Sequence, residues 1–98
     1  MNFWQFKFKD ELWENFQTLE IGDTFTTTIT DKEKNKLNNK IGDIVFWYRT
    51  GTKKDIINGI YFVTEFISNV REDEEYINNY SVEMRIIESH KDNPFIPT

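Results

Sequence analysis

The chain contains no cysteine, which excludes disulfides and thiolate metal sites and leaves the redox compartment unreadable from this side. Its one histidine, His90, lies among charges near the tail and reads as a surface residue, with no Ser–Asp context to make it a general base. There is no phosphate-binding glycine loop and no H-E-x-x-H helix. Carboxylates are plentiful but lie in runs such as Glu72-Asp73-Glu74-Glu75, without the isolation that raises a pKa for acid–base work. That run reads as a solvated loop, because a metal site needs ligands spaced around the ion. The expectation is a non-enzyme without cofactor or metal, any catalysis belonging to a fused or partner domain. No surplus of positive charge exists either, since the formal net charge is −5, and this argues against broad coating of nucleic acid. No membrane span is read, and the charged amphipathic start speaks against a secretory leader, so a cytoplasmic protein without a membrane partner is expected. The wealth of Asn, Lys and Ile suggests a low-GC bacterial source.

What the chain does have is aromatic residues, 16% of its 98 positions, more than one small core has to consume. They concentrate in Gly42-Asp43-Ile44-Val45-Phe46-Trp47-Tyr48 and in Asn58-Gly59-Ile60-Tyr61-Phe62-Val63-Thr64-Glu65-Phe66. A Gly-Asp turn feeding one aromatic strand, answered by a Gly-led second strand, builds a wall of a ring-lined pocket. Planar rings suit planar ligands, and a nucleobase is the commonest of these.

Along the chain, Phe3–Phe8 alternates as a strand, and Asp10 caps a helix with Leu12, Phe16 and Leu19 at helical spacing, closed by Gly22. Thr24–Ile29 reads as a strand with Phe25, Thr27 and Ile29 on one face. Thr30 and Glu33 suggest a capping box for a short Lys-rich helix that ends near Gly42. Ile44–Arg49 puts Val45 and Trp47 on one face and Phe46 and Tyr48 on the other. A polar hairpin loop, 51–55, leads to a strand from about Gly59 to Phe66; Asn69–Asn79 reads as an acidic loop. The last strand is placed near Ser81–Ile87, with Val82, Met84 and Ile86 on one face, before an extended tail, Asn93–Pro97. The fold class is α+β: a single domain, 1–98, forming a compact curved mixed β-barrel of about five strands with short flanking helices.

This order of landmarks resembles the EVE domain of the PUA-like superfamily, which also contains the YTH and ASCH modules. The resemblance covers nearly the whole chain, and its locally specific parts are the Gly42-Asp43 strand and the Gly59 strand. Phe25 stands where that family usually carries Trp, and the acidic loop offers Tyr76 and Tyr80 instead of Trp. The resemblance implies a module that reads a modified, methylated base in DNA or RNA by holding it, flipped out, in an aromatic cage. It also implies a fused or partner nuclease or NTPase subunit of a restriction system, the chain being a whole protein or a domain of a larger one.

The base-pocket candidates are Phe25, Trp47, Trp4, Tyr76 and Tyr80, with Thr26, Asn58 and Asp10 as hydrogen-bonding groups for a base edge. Each has a plainer reading: Trp4, Trp13, Phe25 and Trp47 as core, the tyrosines as partly exposed loop residues. Phosphate candidates are Lys53 and Lys54 at the hairpin tip, with Lys36, Lys40 and Arg49; the lysines at 32, 34, 36 and 40 alternate with Asp31 and Glu33 and equally suit a solvated helix face. The competing functions are an RNA-binding module and a protein-interaction or small-ligand domain. Phe25, Trp47 and a loop tyrosine converging on an open pocket rimmed by lysine would favour the base reader; solid packing of all three would favour the interaction domain. Low net positive charge further implies an isolated domain that is monomeric and binds weakly alone.

Overall fold

The computed structural model describes residues 2–9, 16–51, 57–72 and 80–95. Six strands form one sheet: β1 (Phe3–Phe8), β2 (Thr24–Ile29), β3 (Ile44–Arg49), β4 (Gly59–Phe66), β5 (Arg71–Glu72) and β6 (Tyr80–Ser89). The order is β1-β3-β4-β6-β2, with the short β5 also on β6. Every pairing is antiparallel except β1 with β3, which is parallel from Phe3↔Ile44 to Phe8↔Arg49. Among the described residues there is one helix with a full residue range, α1 (Asp31–Leu37).

The strands arise from alternation. Trp4, Phe6 and Phe8 face inward on β1, as do Phe25, Thr27 and Ile29 on β2. Bulges between Trp47 and Tyr48 and between Val63 and Thr64 bend the sheet. It curls into a half-barrel whose concave side holds the core: Phe8, Phe16, Val45, Trp47, Phe62, Phe66, Val82, Met84 and Ile86. Each such side chain contributes roughly 1.5–3 kcal/mol by leaving water. Thr64, fully buried among them, accepts the Trp47 indole N–H at 3.0 Å, so the core's indole is satisfied.

Local chemistry fixes the ends. The Glu33 carboxylate reaches back to the Thr30 N–H at 3.1 Å, the capping box that starts α1. Leu37 is buried in the core cluster and anchors α1 to it. Beyond it Asn39 takes φ 60° and Gly42 φ 92°, so the helix stops at Leu37, short of Gly42. At the tail, Phe95 exchanges main-chain hydrogen bonds with Ile60, and a Cβ on Gly59 would lie 2.9 Å from the Phe95 carbonyl oxygen. Only glycine lets the tail lie so close.

Several expectations are corrected. Residues 71–72 of the expected acidic loop form β5, because their main chain pairs with Tyr80 and Ser81. The last strand runs from Tyr80 to Ser89, longer than Ser81–Ile87. Leu19 is not helical: Phe16 is followed directly by a turn, and Gly22, at φ 96°, shapes the turn into β2 instead of ending a helix. The start of that expected helix, including Asp10, Leu12 and Trp13, lies outside the described residues, as do 52–56, 73–79 and 96–98. The barrel is open, since β1 and β2 stand at opposite ends of the strand order.

Candidate functional site

The opening in the barrel is a cleft of ≈ 430 Å³ between β1 and β2, within the range of about 300–1,000 Å³ typical of small-ligand sites. Trp4, Phe6 and Trp47 give it aromatic walls, and Leu37 and Ile29 add apolar surface beside α1. Lys36 stands along it with Glu33, whose carboxylate is already engaged by Thr30, while Lys7, of outward parity on β1, borders it through its main chain. Phe6 packs edge-on against Trp47, centroids 5.2 Å apart. Trp47 itself is only 2% exposed, so it offers the cleft an edge of a core residue.

Trp4 is aimed by Asp43. One Asp43 carboxylate oxygen accepts the Trp4 indole N–H at 3.1 Å, and the other accepts the Asn2 N–H at 3.2 Å. These two bonds, the indole one first, hold the Asp43 carboxyl below its ordinary pKa. The two residues of the Gly-Asp turn therefore act in concert. Gly42 supplies the left-handed bend, and Asp43 orients the tryptophan of the neighbouring strand.

The strand edges matter as much as the rings. Asn2 and Phe8 give their carbonyls to Ile44 and Thr50, which commits the even-numbered main chain of β1 to β3. The main-chain N–H and C=O groups of Gln5 and Lys7 accordingly face the gap. On β2, the Ile86 N–H donates to the Asp23 carbonyl, and the register continues through Phe25↔Met84 and Thr27↔Val82. Odd-numbered residues thus serve β6, and the main chain of Thr24, Thr26 and Thr28 faces the gap from the other side. Rings, strand-edge donors and acceptors, and the Lys36 side chain at the rim meet in one opening.

Of the pocket candidates, Trp4 and Trp47 border this cleft, and Lys36 of the phosphate candidates stands at its rim. Phe25 touches Trp47, at 5.7 Å between centroids, as a half-buried residue packed against the core cluster rather than as part of the cleft lining. The Thr26 side chain is exposed on the outer face; its main chain is what reaches the edge. Tyr80 lies elsewhere, its hydroxyl accepting from Lys34 at 2.9 Å, and Lys34 also pairs with Asp31. Asn58 accepts the Gly51 N–H at 2.9 Å and donates to the Gly51 carbonyl, fastening the base of the β3–β4 connection. Arg49 is 0% exposed, its guanidinium enclosed beside Asn58, because it shares the inward parity of Val45 and Trp47. Lys40 is half-buried, and its charge helps lower the Asp43 pKa. Asp10, Tyr76, Lys53 and Lys54 lie outside the described residues.

Phe6, Lys7, Thr27 and Leu37 line the cleft without having been singled out. The signal for Phe6 is its alternation with Trp4 and Phe8; Leu37 is the one large apolar residue of a charged helix. Among the described residues, no three His, Asp or Glu side chains form a metal-binding group, and no helix is long and apolar enough to cross a membrane. Compared with known protein families and with curated proteins, the chain matches none.

Proposed function

We propose that this chain is a nucleic-acid reader of the PUA-like, EVE-type class that takes a single flipped-out, methylated base into the cleft between β1 and β2. The observation that carries this reading is the coincidence of Trp4, Phe6 and the edge of Trp47 with Lys36 and the open main-chain edge of β1 on one cleft. Flipping a base costs a few kcal/mol of stacking and pairing. Stacking on an aromatic side chain returns roughly 1–3 kcal/mol per base, and a methyl group desolvated against the apolar wall adds about 0.8 kcal/mol.

Selectivity beyond that single methyl comes from the hydrogen-bonding edge of the base. The main-chain groups of Gln5 and Lys7 are suited to reading it, because a strand edge presents donors and acceptors at fixed spacing. Lys36 at the rim holds a flanking phosphate. In this reading the chain supplies targeting, and cleavage or NTP hydrolysis belongs to a fused or partner subunit of a restriction system.

The test is a binding panel of DNA and RNA oligonucleotides differing in one methyl or hydroxymethyl group, run with wild type, Trp4→Ala and Trp4→Phe. Preference for a modified DNA strand is expected, lost by about tenfold or more in Trp4→Ala and largely kept in Trp4→Phe. Equal binding of modified and plain strands by wild type, or indifference of a folded Trp4→Ala protein, overturns the reading. Preference for RNA would move the substrate class from DNA to RNA.

A further inference from the structure

α1 brings one carboxylate to the cleft between β1 and β2. Glu33 lines that cleft, half-buried, one helical turn before the buried Leu37 and on the same face of the helix. The capping box fixes this carboxylate through a single oxygen. Glu33 Oε1 accepts the Thr30 N–H at 3.1 Å and the Thr30 hydroxyl at 2.9 Å, and Oε2 has no hydrogen-bond partner among the described residues. The other polar side chains of the cleft are spent or turned away. The indole N–H groups of Trp4 and Trp47 are committed to Asp43 and Thr64, and Gln5 and Lys7 point outward from β1. Lys36 is exposed at the rim. Besides Glu33 there remains Thr27, inward on β2, whose hydroxyl makes no hydrogen bond among the described residues.

We propose that Glu33 is the specificity-determining residue of the cleft, accepting an N–H from the edge of the bound base and so admitting amino-bearing bases over their keto counterparts. This rests on the reading of the cleft as a base site. Thymine carries the same ring methyl as 5-methylcytosine, so stacking walls and a methyl slot bind the two alike. What differs is the edge. Cytosine offers an amino donor where thymine presents a carbonyl oxygen. A carboxylate only accepts, so it hydrogen-bonds the amino group and repels the lone pairs of the carbonyl. The Thr27 hydroxyl donates or accepts and takes either edge, so discrimination falls to Glu33. Because Thr30 holds Oε1, Oε2 is in place before the base arrives, and little side-chain freedom is lost on binding.

The test measures affinity for two oligonucleotide series that differ at one base: cytosine, 5-methylcytosine and thymine in one, adenine, N6-methyladenine and hypoxanthine in the other. In the series where methylation strengthens binding to the wild type, the amino base is expected to bind about tenfold or more tighter than its keto counterpart. The pairs compared are 5-methylcytosine with thymine and adenine with hypoxanthine. Glu33→Gln keeps the capping box, where glutamine serves as glutamate does, and adds a donor beside the base. In that variant the amino-to-keto ratio is expected to fall to about one or to invert, while the methyl preference stays. Circular dichroism verifies its fold. A methyl preference with amino and keto bases bound alike, or a folded Glu33→Gln protein with the wild-type ratio, overturns the role of Glu33 and leaves the base site standing. Absence of any methyl preference in both series overturns the base site, and the role of Glu33 with it.

Discussion

Phe25 and Trp47 meet edge to face, their centroids 5.7 Å apart and their planes inclined by 64°, although β4 and β6 separate their strands in the sheet. That contact measures the curl of the sheet. Phe16 wedges against both rings, at 5.4 Å and 5.2 Å, and against Phe8. Aromatic pairs of this kind contribute roughly 0.5–1.5 kcal/mol beyond their buried area.

The two rings differ in burial, and their truncations should differ accordingly. Trp47→Ala is expected to cost about 3–5 kcal/mol, since it empties the core and strips Thr64 of its donor. Phe25→Ala, at a half-exposed position, should cost clearly less. Urea denaturation midpoints rank them; the reverse order would place the anchor of the curl on β2.

Asp43 links the cleft to pH. Its carboxyl titrates lower in the fold than in the unfolded chain, so its contribution to stability is complete above the ordinary carboxylate range of about 4. That contribution drains away as pH falls through the lowered value. Asp43→Asn should flatten the acid limb of a stability–pH curve and loosen Trp4, seen as a changed indole N–H resonance. An acid limb identical to wild type would show that other carboxylates dominate it.

Much of this arrangement is written in the strand alternation. Phe25, Thr27 and Ile29 declare an inward face before any partner is known, and Thr30 with Glu33 declares the start of α1. The same parity turns Arg49 inward behind Val45 and Trp47, and here parity outweighs charge. β5 is illegible because Arg71 and Glu72 are both exposed, and only main-chain pairing with β6 makes them a strand. The cleft is illegible for a related reason. Which inward ring borders solvent depends on where the sheet fails to close, and no local pattern records that.

Gly59 answers to the tail rather than to its own backbone angle. A Gly59→Ala methyl would sit 2.9 Å from the Phe95 carbonyl oxygen, so the tail must move or the strand must shift. A loss of about 1–3 kcal/mol is expected, together with broadened Phe95 and Ile60 amide signals. Full stability with an undisturbed Phe95 amide would mean that the tail docks loosely.

Salt dependence should be shallow. With Lys36 as the ammonium group at the cleft rim, the log–log slope of affinity against salt for the oligonucleotide bound best is expected at about −1. A slope beyond about −6 would require a basic surface far wider than the cleft rim.

The strand order carries a consequence for how the molecule comes together and comes apart. Only β3 and β4 are neighbours in sequence among the long paired strands; β1 waits for residue 44, and β2 for residues beyond 80. Chain closure over such spans is slow, so the β3–β4 hairpin is the natural seed and the two flanking strands dock late. Those late strands are the walls of the cleft. Their amides should exchange with deuterium ahead of those of β4, by openings well short of global unfolding. The cleft walls are then the last part of the sheet to dock and the first expected to open, while the β3–β4 hairpin stays shut.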